Sequence, residues 1–383
     1  MLKLPNNSLP YHLEKFIEQF SDQPDDVDLF VPSRLYLNGG LGSSAQAIQA
    51  IGRLSSNRHI RLHNETDEEE DGESPDLRAQ FLHGMAALYF AHHLIKGSES
   101  LARNQTLREL VPKVLAMRSQ NHKETSKNGY SALCCFSGAK NEFLPALYYK
   151  SEHFSVRAIP DISIAFKRML EGIYLNSFRR MSEGSELYIY ALLQELFSNA
   201  DEHGSFNANG DVLRRSMRGI YMQVTSLAAA ETIARDAGND NALRLYLATL
   251  PLYGSFESNH SPLVLELSVF DTGPGMGLNW LSRASNVESY DDFSVEDELK
   301  AVTTCFKKRA TTKSSSVHGQ GLPTVLRALS KLNAFMTLRT GRISIYQDFS
   351  GNSQADFKPI SRFANETLSL TSGTSFTIWF RIN

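Results

Sequence analysis

The string Glu195-Leu196-Phe197-Ser198-Asn199-Ala200-Asp201-Glu202-His203-Gly204 sets three chemically capable side chains four residues apart. On a helix, Glu195, Asn199 and His203 share one face, and Leu192, Leu193, Leu196 and Ala200 supply an apolar face beside it. A carboxylate, a carboxamide and an imidazole in one stripe next to a core suit a metal–phosphate group. Oxygen ligands fit Mg²⁺, and a neighbouring carboxylate can orient or deprotonate a water. Alone, the same spacing also describes an ordinary solvated helix face.

A second string, Asp271-Thr272-Gly273-Pro274-Gly275-Met276-Gly277, follows Leu263 to Phe270 (LVLELSVF), which reads as a buried strand. It puts a carboxylate at the C-terminal edge of a strand, among glycines that let backbone approach a ligand. Such a carboxylate can accept a hydrogen bond from an exocyclic amine such as adenine's; a plain glycine turn is the other reading. A third string, His318-Gly319-Gln320-Gly321-Leu322-Pro323, follows the Ser/Thr/Lys-rich stretch Thr311 to Ser316 and opens an amphipathic helix. Glycine amides at a helix N-terminus make an anion site, so phosphate binding follows physically, although Gly-x-Gly before a helix is common. The fourth, Gly373-Thr374-Ser375-Phe376, leads into a strand.

Taken together and in this order, the four strings resemble the GHKL superfamily, the ATPase fold shared by gyrase, the heat-shock chaperones, MutL and histidine kinases. The resemblance covers about residues 161–383. It implies that Asn199 ligates Mg²⁺, and that Asp271 binds the adenine amine with a water held by Thr374. It implies further that Gly273 and Gly275 shape the adenine pocket and a lid hinge, and that Gly319, Gln320 and Gly321 face the phosphates. His203, Met276 and Leu322 belong to the same nucleotide-contacting strings, and Glu195 stands where hydrolysing or serine-phosphorylating members keep a general base. The Glu195–Asn199–His203 order is similar to the anti-sigma-factor serine kinases. His12, His83, His92 and His93 lack the His-Glu-Leu-Arg-like context of a sensor kinase's phosphorylated hairpin.

The elements that must position these residues give an α+β expectation. Residues 156–383 would form a GHKL α/β sandwich, a mixed sheet with helices on one face. Residues 1–155 would form a smaller α/β domain of regulatory or partner-binding role. The small domain rests on Leu29 to Leu37 as a strand, Ala45 to Leu54 as a helix and His59 to His63 as the next strand. Between them, the loop Asn38 to Ser44 has the context of a phosphate cradle but no following Lys-Ser/Thr pair. Glu65 to Asp76 carries eight carboxylates and reads as a solvated, mobile loop. Helices are expected over about Leu77 to Ile95, Leu107 to Met117, Asp161 to Arg180 and Glu186 to Glu202. The runs SALCCF, LPALYY and FSVRAI read as short strands belonging to either sheet. Ala228 to Leu250 reads as a helical insertion, either a partner or dimer element or packing on the sheet. Ser294 to His318 is expected to be a lid, with Lys307, Lys308, Arg309 and Lys313 as candidates for phosphate charge. No transducer-type domain donating a lysine is expected to follow.

Composition narrows the class. The 383 residues carry a net charge of −3, which gives no support for nucleic acid as the partner. Three cysteines, Cys134, Cys135 and Cys305, show neither disulfide nor zinc spacing. With no signal-peptide core and no membrane-length apolar run, the expectation is a cytoplasmic protein with no membrane partner. The functional expectation is an ATP- and Mg²⁺-dependent ATPase acting as a switch on a protein partner or within a homodimer. Alternatives are a serine/threonine kinase of the anti-sigma type, or a nucleotide-responsive binding module without turnover.

Overall fold

The structure is a computed structural model that describes residues 1–7, 9–35, 41–63, 77–126, 129–174, 181, 184–236, 241–250, 262–285, 287–307, 321–351, 356–363 and 366–382. The acidic stretch 65–76 lies outside these.

The N-terminal part runs β1 (Leu2–Lys3), α1 (Pro10–Glu18), β2 (Asp26–Phe30), α2 (Ser43–Asn57), β3 (His59–His63), α3 (Leu82–Phe90), β4 (His93–Lys96) and β5 (Glu99–Ala102). Its five strands lie in sequence order, β1 to β4 parallel and β5 turned back antiparallel. The expected βαβ unit is present, but its first strand is Asp26–Phe30 and not Leu29 to Leu37: the strand stops ahead of Pro32, which has no N–H to donate to a ladder. The single helix expected over Leu77 to Ile95 is instead a 3₁₀ turn, Leu77–Gln80, followed by α3 and then β4. Helix α3 is buried on every side, so its apolar run offers no face by which its end could be read.

Helices α4 (Arg103–Thr106), α5 (Val111–Arg118) and α6 (His122–Thr125) lead to β6 (Tyr130–Phe136), and the ribbon β7 (Tyr148–Lys150) and β8 (Phe154–Val156) leads to α7 (Ile159–Ile173) and α8 (Ser185–Gly204). Then come β9 (Met217–Ser226), α9 (Leu227–Asp236), α10 (Asn241–Thr249), β10 (Leu263–Asp271), α11 (Met276–Ser285) and α12 (Val295–Cys305). The remainder is α13 (Gly321–Lys331), β11 (Phe335–Thr340), β12 (Ile343–Asp348), β13 (Ile360–Ser361) and β14 (Thr374–Arg381).

The large sheet has seven strands in the order β13-β12-β11-β14-β10-β9-β6. Strand β6, from before residue 155, is therefore part of it, paired with β9. Every adjacent pair in this sheet is antiparallel, where a mixed sheet was expected. The reason is topological: β10 and β11 run the same way, as a strand–helix–strand crossover gives, but β14 inserts between them antiparallel to both.

Helices cover both faces of this sheet, correcting the expectation of one. Helix α8 lies on β9 and β10 with α7 and α13 beside it, and α2 packs against β10 and β14 from the other side. Strand β10 shows why. Leu265, Leu267 and Val269 alternate with Glu266 and Ser268, and both sets are buried, as expected of this run. Its polar positions are satisfied by other elements: the Glu266 carboxylate accepts from the Leu41 and Gly42 amides at 2.7 and 3.0 Å and from Trp379 Nε1 at 3.1 Å. Ser268 Oγ bonds Thr377 Oγ1 at 2.9 Å.

The helical insertion α9–α10 packs on the α2 side of the sheet. Leu227, Leu243, Tyr246 and Leu247 join Val264, Phe335 and Trp379 in a second small core. The main core runs without a break from Leu2 to Ile382, joining both sheets. Among the described residues no helix is long and apolar enough to cross a membrane.

Candidate functional site

Helix α8 starts after Gly184, in a left-handed conformation with φ of 81°, and carries Glu186 in its first turn, where a carboxylate complements the helix dipole. It buries Ile189, Leu192, Leu193, Leu196, Phe197 and Ala200 against the sheet. The stripe Glu195, Asn199, His203 is half-buried along the border between that core and solvent. At 1.5 Å per residue, Glu195 and His203 stand about 12 Å apart along the axis. Asn199 lies midway, and its amide nitrogen is buried with no hydrogen-bond partner among the described residues.

The His203 end meets the Asp271 turn at backbone distance. A Cβ on Gly204 would fall 2.5 Å from the Asp271 Cβ, and one on Gly273 would fall 2.6 Å from the His203 carbonyl. Gly373 closes the third side: its φ is 66°, an added Cβ would lie 2.0 Å from the Asp271 carbonyl, and its N–H donates to the Gly273 carbonyl at 2.6 Å. Three glycines thus let three chain segments converge on one carboxylate.

The Asp271 carboxyl accepts from the Gly273 N–H at 2.8 Å and from the Thr374 amide. Burial pushes its pKa up to about 7, against those two hydrogen bonds and the Arg218 charge, which pull it down. A carboxylate held at this balance gains by accepting a ligand N–H. Beside it, Thr374 Oγ1 bonds Thr340 Oγ1 at 3.1 Å, and Thr340 Oγ1 accepts from the Met276 N–H at 2.8 Å. Gly275, with φ of 93°, leaves room for the Tyr290 hydroxyl, which donates to the Pro274 carbonyl at 2.7 Å.

The Glu195 end meets α13. A Cβ on Gly321, the first residue of that helix, would fall 2.6 Å from Glu195 Oε2, so the helix N-terminus abuts the carboxylate. Leu322 is partly buried against the main core. Gly319 and Gln320 lie outside the described residues, as do Lys308, Arg309 and Lys313; Lys307 is exposed. Of the lid expected over Ser294 to His318, the first part is the docked helix α12. Ser294 caps it, accepting from the Asp297 N–H at 3.1 Å, and fully buried Glu298 pairs with Arg342 at 3.0 Å. That buried pair ties the segment to the β11–β12 hairpin; residues 308–320 of the expected lid lie outside the described residues.

Three participants were not foreseen. Arg218, opposite Asp271 in the β9–β10 register, is 1% exposed and bonds Asp201 at 2.8 Å and the Tyr148 hydroxyl at 2.9 Å. This contact fixes the rotation of α8 on the sheet, and with it the Glu195 stripe. Tyr290 and Thr340 brace the Gly275 turn; an isolated tyrosine and an in-strand threonine carry no local signal of that role. The second candidate anion cradle is filled from within: the amides at the start of α2 hold Glu266, whose pKa burial pushes up to about 7. Within the described residues, that end of α2 is spoken for.

Among the described residues no group of three or more His, Cys, Asp and Glu side chains forms a metal cluster. Mg²⁺ needs none, because it is commonly held by one or two protein oxygens with phosphate and water completing the shell. The Asn199 carboxamide and the Glu195 carboxylate are hard oxygen donors, so the residues present fit that ion.

In comparisons with protein-family models, curated proteins and solved structures, nothing matches this chain. Residues and geometry therefore carry the functional reading.

Proposed function

We propose that the chain is a GHKL-type ATPase, binding ATP with Mg²⁺ and using the nucleotide state as a switch on a protein partner or a second copy. One observation carries the reading. The Glu195–Asn199–His203 stripe ends on Asp271 at one side and on the α13 N-terminus at the other. The separation of about 12 Å suits an extended nucleotide between an amine acceptor and an anion-binding helix end.

In this reading Asp271 accepts from the adenine amine, while Thr374 and the Gly273 backbone shape the pocket around the base. The helix end at Gly321 and the preceding Gly319 and Gln320 face the phosphates. Asn199 would hold Mg²⁺, which when bound supplies positive charge to the phosphate oxygens. Glu195 orients a water and takes its proton as the oxygen bonds to the terminal phosphorus, with the phosphorus–oxygen bond to ADP breaking. A serine hydroxyl in place of the water would make the same site a kinase.

The test is phosphate release from ATP–Mg²⁺, wild type beside Glu195→Ala, with nucleotide binding measured on both. Release that drops by about 10²- to 10⁴-fold in the variant while binding persists supports hydrolysis with Glu195 as base. Binding without release in the wild type moves the assignment to phosphotransfer or to a binding module. Absence of nucleotide binding in the wild type removes the proposal.

A further inference from the structure

We infer that Gln49, on helix α2 of the N-terminal part, is a positioning residue of the Asp271 pocket, and that through it the N-terminal sheet sets nucleotide affinity; this rests on the nucleotide reading above. Gln49 is fully buried, and its Nε2 donates to two carbonyls, Arg339 and Ser372, each at 3.0 Å. These carbonyls lie at the C-terminal end of β11 and just before the start of β14. Each precedes a pocket element by one residue. Arg339 precedes Thr340, whose hydroxyl holds the Met276 amide and the Thr374 hydroxyl. Ser372 precedes Gly373, whose backbone packs on Asp271 and bonds Gly273. Thr340 and Thr374 are the last register pair of the β11–β14 ladder. One carboxamide therefore grips both strands where their own ladder stops.

The same helix touches the other flank of the pocket one turn later. A Cβ on Gly52 would lie 3.1 Å from the Thr272 methyl, and Thr272 Oγ1 accepts from the Met217 N–H at 2.8 Å. Positions 49 and 52 of α2 thus bear on the two sides of Asp271 from the face of the sheet opposite α8. A buried polar network seats the helix. Arg339 forks onto Glu14 of α1 at 2.8 and 2.9 Å and donates to the Gly341 and Ser369 carbonyls, and Gln46 bonds the same Glu14 carboxylate. Movement of α1 and α2 relative to the large sheet must shift the Ser372 and Arg339 carbonyls together, and so the walls around Asp271. Nucleotide occupancy is then felt by the N-terminal sheet in return, because coupling between two sites is reciprocal.

The experiment titrates the full chain with ATP–Mg²⁺ by calorimetry and follows steady-state phosphate release, for wild type, Gln49→Met and Gly52→Ala. Gln49→Met keeps the length and helix propensity of the side chain but removes both donations. Its Kd and KM are expected to rise about tenfold, the scale of one to two lost hydrogen bonds, with kcat within about twofold, since Glu195 lies at the far end of the stripe. Amide exchange should quicken in residues 271–277 and 371–376 and not across the sheet. Gly52→Ala should raise Kd and KM in the same direction. Wild-type binding that persists unchanged in both variants overturns the inference and leaves the nucleotide reading standing. A wild type that binds no nucleotide overturns both. Where Gln49→Met loosens the whole sheet, Gly52→Ala decides, and an unchanged KM there overturns the inference.

Discussion

Asp271→Asn separates the chemistry of the pocket from its stability. Enclosure holds the native carboxyl up to about 7, from 3.8 for a free side chain. Its folded value is the higher one. Between 3.8 and about 7 the native chain keeps a proton that the unfolded chain releases, so stability falls as pH rises through that window and levels off above it. The Asp271→Asn variant has no such titration. Between pH 5 and pH 8 about two units lie inside the window, and at about 1.4 kcal/mol each the variant should gain about 3 kcal/mol on wild type. Contacts independent of pH cancel in this comparison, as does the titration of Glu266, His83 and His92. Urea unfolding of both proteins at pH 5, 6, 7 and 8 measures it. Calorimetry at pH 8 should show the opposite trend in function: ATP affinity falls by about 10- to 100-fold with the charged acceptor gone. Stability curves that run parallel from pH 5 to pH 8 would refute the reasoning, because Asp271 would then titrate as an ordinary carboxylate.

Gly204→Ala places a methyl 2.5 Å from the Asp271 Cβ, so despite the better helix propensity of alanine it should cost about 1–3 kcal/mol in urea unfolding and weaken nucleotide binding. Glu14→Ala leaves Arg339, itself 4% exposed, without its carboxylate, and should cost about 3–5 kcal/mol in the same assay. His83 is buried with a ring nitrogen 3.0 Å from the Pro32 carbonyl, and burial holds its pKa down to about 4 from 6.5. Its contribution is therefore present above 6.5 and lost as pH falls toward 4, so His83→Gln should flatten the acid limb of the stability curve by up to about 3 kcal/mol.

What the sequence made legible was local. The spacing of Glu195, Asn199 and His203 follows the helix period, and α8 does carry them in one stripe. The run ending at Asp271 is a strand, and Pro323 falls in the first turn of a helix. The insertion after residue 227 is a helical pair, although its seat on the sheet could not be read from its own residues. What stayed hidden was long-range. Nothing near Gln49 announces a partner at Ser372, and a lone arginine at 218 looks like a surface charge until Asp201 and Tyr148 enclose it. Glu266 and Ser268 lie in a run that reads as a buried strand, but their partners were out of its reach: the Leu41 and Gly42 amides ahead of α2 hold Glu266, and Thr377 of β14 bonds Ser268. The SALCCF run was recognisable as a strand, but its place at the edge of the large sheet depends on β9, some 80 residues on.

The position of β14 has a consequence for how the molecule is assembled. Strands β6, β9 and β10 can pair among themselves, and so can β11, β12 and β13, but the two groups have no shared edge until β14 enters between them. This strand acts as a keystone, and its pairing with β10 spans more than a hundred residues, the kind of distant contact that slows folding. The residues immediately before it, Ser372 and Gly373, are those that close over Asp271. Joining the two halves of the sheet and completing the pocket are thus a single event. A chain that has not finished folding presents half of the Asp271 site on each of two separate pieces, so a ligand of that site would recognise only molecules whose sheet is whole.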